Sequence, residues 1–129
     1  MVPVKWMSPE SLTFGRYSAA SDVWACGVLL WEIFSFGATP YATYSNQDAI
    51  VFIGKGGRLS QPIICPNVSY TSFKLHKSHH DLQIISNKPF QSVWTIVALC
   101  WVVETDDRIT IDGLVNQLAI LQDETPPNI

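Results

Sequence analysis

His76, His79, His80 and Asp81 form the densest group of metal-capable side chains in the sequence. Imidazoles and a carboxylate can ligate zinc, but structural zinc sites draw on spaced ligand pairs, and no Cys or second pair lies at the required distance. The cluster therefore reads as part of a polar loop, and no metal site is expected. Cys26, Cys65 and Cys100 are odd in number, far apart and mostly set in apolar sequence. That pattern predicts buried free thiols in a reducing compartment, not a disulfide framework. Cys100 has no neighbouring base and sits on an apolar helical pattern, so packing is expected of it and nucleophilic catalysis is not. Asn67-Val68-Ser69 has the form of a glycosylation sequon, which in a reducing compartment is three residues of loop. The other groups of interest are charges bordering apolar runs. Taken singly, Glu10 and Arg108 read as solvated surface charges, and Asp22 reads as an acid favoured at the positive end of a helix.

The elements that must position these groups are helical. From Val23 to Phe34 the chain is apolar on nearly every side, with Glu32 its only charge. A helix of that kind is expected to have no solvent face and to lie at the centre of a packed domain. Ser18 and Ser21 can cap its start and Asp22 sits in its first turn, while Ser35 and Gly37 end it. The stretch falls well short of the ~20 apolar residues a membrane span requires. Before it, Pro3, Pro9 and Gly15 divide the chain into an extended loop and a short helix around Pro9 to Leu12, with Pro9 in the first turn. After it, Ser45-Asn46-Gln47-Asp48 has capping-box form and opens a helix that Gly54, Gly56 and Gly57 close. Pro62 and Pro66 imply a surface connector from Arg58 to Pro66. Apolar residues from Val93 to Trp101 recur at helical spacing, and Glu104 to Arg108 reads as a charged turn. Thr110 then caps a last helix whose apolar face is Ile111, Leu114, Val115, Leu118 and Leu121.

Residues 68–91 interrupt this order: they are polar, carry all three histidines and lack helical or strand periodicity. The expected organisation is thus a segment 1–67, a flexible insertion 68–91 and a closing segment 92–129. At 47 % hydrophobic and 12 % aromatic residues, a folded core is expected. A net charge of −3 with only eight Lys and Arg leaves no broad basic field, which argues against nucleic acid or a membrane surface as partner. No signal peptide is legible at Met1, so a cytoplasmic location is expected.

Pro3-Val4-Lys5-Trp6-Met7-Ser8-Pro9-Glu10 resembles the end of the activation segment of protein tyrosine kinases, with Ser8 where that family has Ala. Ser21-Asp22-Val23-Trp24, Gly27 and Leu30-Trp31-Glu32 are similar to the central helix of the kinase C-lobe, and Gly37 to Pro40-Tyr41 to the loop after it. Arg58-Leu59, Cys65-Pro66, Cys100-Trp101 and Arg108 resemble the remainder of such a lobe. Gly15-Arg16-Tyr17-Ser18 looks like the Fes and Fer group, whereas Gln61-Pro62 to Cys65-Pro66 looks as much like discoidin-domain or Ror-type receptors. The resemblance implies a mainly α fold, the C-lobe portion of the protein-kinase fold, with helices round one buried central helix. It departs from the family at Thr105 and at Ile109-Thr110-Ile111. Residues 68–91 fall where the family runs on directly, which suggests translated intron sequence or a natural loop insertion.

The resemblance also implies roles. Pro3, Val4, Lys5 and Trp6 would form the platform for residues flanking a substrate tyrosine. Glu10 and Arg108 would form a buried ion pair, and Asp22 would accept hydrogen bonds from the catalytic-loop backbone. A kinase holds ATP and magnesium with a Gly-rich loop, a Lys and Asp and Asn ligands, and uses a further Asp to orient the hydroxyl. The 129 residues contain no Gly-x-Gly-x-x-Gly, His-Arg-Asp or Asp-Phe-Gly. The expectation is a C-terminal part of a tyrosine kinase domain with no catalytic, cofactor or metal residue of its own. ATP, magnesium and a tyrosine-containing protein substrate would belong to the full-length parent. The alternative is a non-catalytic module that docks a protein partner through residues 45–55 with Tyr41 and Tyr44. On the kinase reading, the face of the central helix that would meet the absent catalytic loop would leave Val23, Val28, Leu30 or Trp31 in water, whereas the docking-module reading would give the chain a closed core of its own.

Deleting residues 68–91 should leave stability unchanged or raised, because the closure entropy of a long loop grows slowly with its length. Thermal unfolding followed by helical circular dichroism measures this, and a large loss of helical signal would show that the segment packs.

Overall fold

The computed structural model describes residues 3–62 and 93–124, and every regular element among them is helical. A 3-10 turn, Val4–Trp6, precedes α1 (Pro9–Phe14), α2 (Ala19–Phe34) and α3 (Asn46–Gly54). Helix α4 covers 93–99, and α5 is Ile111–Glu124. The residues expected to form an insertion, 68–91, lie outside the described residues.

Helix α2 starts on a reciprocal capping box. Ser18 is extended (φ −157°, ψ 179°), its Oγ accepts the Ser21 N–H, and Ser21 Oγ accepts the Ser18 N–H at 2.8 Å. Two backbone donors that the first turn would strand are thereby satisfied. Glycine stops α1 for a different reason. Gly15 takes φ 64° and returns its N–H to carbonyls of the last turn, a left-handed conformation that a Cβ disfavours. Ser45 caps α3 by accepting the Asp48 N–H, and Thr110 caps α5 by accepting the Gly113 N–H, both at 3.1 Å.

The core gathers on one side of α2. Val23, Trp24 and Val28 are buried with Ala49 and Ile53 of α3, Ile96 and Val97 of α4, and Leu114 of α5. Gly27 sets the spacing. A Cβ there would stand 2.6 Å from Cys100 Cβ and 2.7 Å from Trp101 Nε1, so α2 meets the end of α4 at a distance only a hydrogen permits.

Four expectations need correction. Helix α2 does have a solvent face: Leu29 is 52 % and Ile33 57 % exposed, and Asp22 is exposed as well. Positions 22, 29 and 33 recur at i, i+7 and i+11, which puts them on one line of the helix. Val23 and Val28, expected in water, are instead core, and Leu30 and Trp31 are half-buried. The stretch after α3 is no mere surface connector, because Leu59 is buried in the core and Trp31 Nε1 donates to the Ser60 carbonyl at 2.8 Å. Helix α5 buries a narrower stripe than its pattern suggests. Leu114 is buried and Leu118 and Leu121 pack beside it, whereas Ile111 and Val115 are exposed. At 3.6 residues per turn, Ile111 and Val115 lie roughly 60° and 100° round from Leu114, beyond the line of contact.

Gly27→Ala should destabilise the fold by about 1–3 kcal/mol, because the clash is with a Cβ and a packed indole that cannot swing aside. Urea unfolding of the variant beside the parent chain measures it, and an unchanged midpoint would contradict the close approach.

Candidate functional site

Glu10 sits in the first turn of α1, after Ser8 and Pro9, and its carboxylate points to the far end of the described chain. There it meets Arg108 in a two-pronged contact, Nη1 to Oε1 at 2.8 Å and Nη2 to Oε2 at 3.0 Å. The guanidinium is fully buried, and the Glu10 carboxylate is partly buried beside it. Arg108 also donates from Nη1 to the Ala20 carbonyl, from Nε to the Val102 carbonyl and from Nη2 to the Val103 carbonyl. All five N–H groups of the side chain therefore have acceptors, a condition a buried guanidinium must meet. Burial alone would raise the Glu10 carboxyl, but the Arg108 hydrogen bonds and charge, with the Glu10 backbone amide, outweigh it and hold the group below its ordinary value of 4.5.

Trp24, wholly buried on α2, carries two cations on its ring. The Arg58 Cζ lies 4.8 Å and the Arg108 Cζ 5.3 Å from the ring centroid. Such contacts strengthen when water is excluded. Arg58 spends its donors on the carbonyls of Trp101, Ile53 and Gly57. Burial and the like charge of Arg108 pull its pKa below the usual arginine value. Thus Arg58 joins α3 to the end of α4, and Arg108 joins α1 to α2.

The 3-10 turn is anchored at both of its polar side chains. Lys5 Nζ donates to the Tyr44 carbonyl at 2.7 Å and the Tyr41 carbonyl at 3.1 Å. Trp6 Nε1 donates to Glu32 Oε1 at 2.7 Å, which supplies the partner for the one charge on the apolar stretch of α2. Pro3 is left exposed and Val4 half-buried. Tyr41 holds a left-handed backbone (φ 49°), and its ring and that of Tyr44 meet Phe52 edge-on at 6.1 and 5.1 Å. Burial pushes the Tyr41 phenol up to about 12. The docking surface expected on residues 45–55 thereby loses Tyr41, which is core, and retains Val51 as its exposed apolar residue.

The structure thus brings Glu10 and Arg108 together and fastens Lys5 and Trp6 to the body of the chain. Asp22 stays apart. It is exposed at the start of α2, and among the described residues its carboxylate meets no donor. Cys26 and Cys100 are free, and burial raises both thiols, Cys100 to about 12. Cys65 and the cluster His76, His79, His80 and Asp81 lie outside the described residues. No metal-capable group of three or more His, Cys, Asp or Glu occurs among the described ones. Sequence reasoning missed Arg58, the carbonyls that hold Lys5, and the Trp6 to Glu32 bond. Glu32 was the available signal, since a lone carboxylate in an apolar helix demands a donor from elsewhere in the chain.

A helical body whose leading segment is tied by a carboxylate to an arginine near its last helix is consistent with the kinase C-lobe that the sequence resembles. The chain belongs to the protein tyrosine and serine/threonine kinase family, whose model matches residues 1–82. It is 33 % identical over 122 residues to the mouse (Mus musculus) proto-oncogene tyrosine-protein kinase ROS, covering 95 % of this chain and 4 % of that protein. It is 55 % identical over 69 residues to the tyrosine-protein kinase transforming protein Fps of avian sarcoma virus (strain PRCII), covering 54 % of this chain and 13 % of that one. Mouse tyrosine-protein kinase Fer is 34 % identical over 121 residues, 94 % of this chain and 12 % of Fer. The chain is thus part of a tyrosine kinase domain and spans only a small share of each relative. The likeness to Fer and Fps accords with the group read from Gly15 to Ser18, whereas ROS lies outside the groups named from sequence.

Glu10→Ala should cost about 3–5 kcal/mol in urea unfolding, since it leaves the Arg108 charge buried without its partner. The pH dependence has a definite sign. A carboxyl held below its ordinary value stabilises the fold fully above 4.5, and that contribution is lost as pH falls through the lowered value. Parent and Glu10→Gln should therefore differ at pH 7 and converge in acid, and a constant difference down to pH 2 would exclude the charged pair.

Proposed function

We propose that this chain is the substrate-side portion of a protein tyrosine kinase domain which, in the whole protein, transfers the γ-phosphoryl group of ATP to a tyrosine of another protein. The observation that carries the reading is the Glu10–Arg108 pair, because it fastens the segment 3–14 to the body of the helices. Pro3, Val4, Lys5 and Trp6 serve as the platform for the substrate's flanking residues. The anchoring of Lys5 and Trp6 supports this role, since a platform must hold its position for the tyrosine hydroxyl to meet the phosphate in line. The exposed carboxylate of Asp22 is the anchor for the catalytic-loop backbone. Segments 1–67 and 92–129 act as one unit, with 68–91 as an insertion between them.

The described residues do not fit ATP or magnesium: no group of three or more His, Cys, Asp or Glu among them could hold a cation, and the Lys5 amine is committed to two carbonyls. No step of phosphoryl transfer is therefore assigned to this chain, whose contribution is positioning. No helix among the described residues is long and apolar enough to cross a membrane. The free thiols of Cys26 and Cys100 support work in a reducing cytoplasm.

The isolated chain should bind no magnesium-ATP and phosphorylate no tyrosine peptide. Titration calorimetry and a radiolabelled peptide assay check this, and saturable nucleotide binding by the purified chain would overturn it.

A further inference from the structure

We propose that Tyr17 is a phosphorylation site, at which this chain is itself the acceptor for a protein tyrosine kinase. Tyr17 lies in the short link between α1 and α2 and is 71 % exposed, whereas Tyr41 is 8 % exposed and Tyr44 is half-buried against Phe52. Among the described tyrosines Tyr17 is the most exposed, and the buried Tyr41 could offer its hydroxyl only after the fold opens. The backbone favours it as well. Tyr17 stands between the left-handed Gly15 and the fully extended Ser18, and among the described residues neither its N–H nor its carbonyl is taken by a hydrogen bond. The backbone groups of Arg16 and Ser18 on either side are taken within the chain, so a kinase would meet Tyr17 through its ring and its own open N–H and carbonyl.

The product is also matched to its surroundings. Arg16 stacks over the exposed ring of Phe14 at 4.9 Å and has no ion pair among the described residues, so its charge is uncommitted. A phosphate on Tyr17 brings a charge of about −1.5 to −2 beside that guanidinium and ahead of the positive end of α2. In the transfer, Tyr17 Oη forms a bond to the γ-phosphorus of ATP carried by the separate kinase. The bond from that phosphorus to the β,γ-bridging oxygen breaks, ADP leaves with the electron pair, and the phenolic proton passes to the kinase's base. This assignment makes the chain a substrate, so it stands independently of the function proposed above.

The test uses the full 129-residue chain, ATP and a purified active tyrosine kinase catalytic domain, with site occupancy read by peptide mass spectrometry. Phosphate at Tyr17 should exceed that at the buried Tyr41 by about tenfold or more, because a protected tyrosine must await local opening, and should exceed that at the half-buried Tyr44. Tyr17→Phe removes only an exposed hydroxyl and should abolish that largest share of the incorporation. No phosphate at Tyr17, or occupancy at Tyr41 equal to that at Tyr17, would overturn the assignment.

Discussion

Arg108 is the group on which the described structure depends. A guanidinium removed from water is tolerable only if its charge is matched and each N–H finds an acceptor, and here both conditions are met by residues far apart in sequence. The carboxylate comes from α1, one carbonyl from the first turns of α2, and two more from the turn leading to α5. Satisfying one side chain therefore requires three parts of the chain to be in place together. The contact is less a source of net stability than a condition on assembly, since an arrangement that misplaces α1 leaves a cation stranded.

Trp24 extends that condition toward α3. Its ring receives the Arg108 guanidinium and that of Arg58, which in turn gathers carbonyls from the end of α3 and from Trp101. Gly27, one turn further along α2, lets the Cys100 and Trp101 region come close enough for this to occur. On the other side of α2, Glu32 fixes Trp6, and Lys5 grips the turn carrying the left-handed Tyr41. The strained backbone at Tyr41 is retained because its carbonyl accepts from Lys5 and its ring is packed on Phe52. The segment that the kinase reading makes the substrate platform is thus held by the same helix that buries the core.

The remaining line of α2, through Asp22, Leu29 and Ile33, shows the limit of the chain as a closed body. Apolar side chains on a central helix normally meet a neighbour. The chain spans only 4 to 13 % of the kinases it resembles, in keeping with a part of a larger domain.

Much of this was legible from residues alone. The capping residues Ser18, Ser21, Ser45 and Thr110, the stops at Gly15 and Gly37, and the helical spacing from Val93 to Trp101 are local signals, governed by backbone hydrogen bonds and φ preferences within a few residues. The paired roles of Glu10 and Arg108 came from likeness to a family, because nothing local distinguishes a buried ion pair from two surface charges. Tertiary structure alone decided which side of the uniformly apolar α2 is buried, that Ile111 and Val115 fall off the edge of α5, and that Lys5, Trp6 and Arg58 spend their donors inward. Periodicity states that a face is apolar, but burial depends on what lies opposite, and hydrogen bonds between residues 26 to 98 positions apart leave no mark in local sequence.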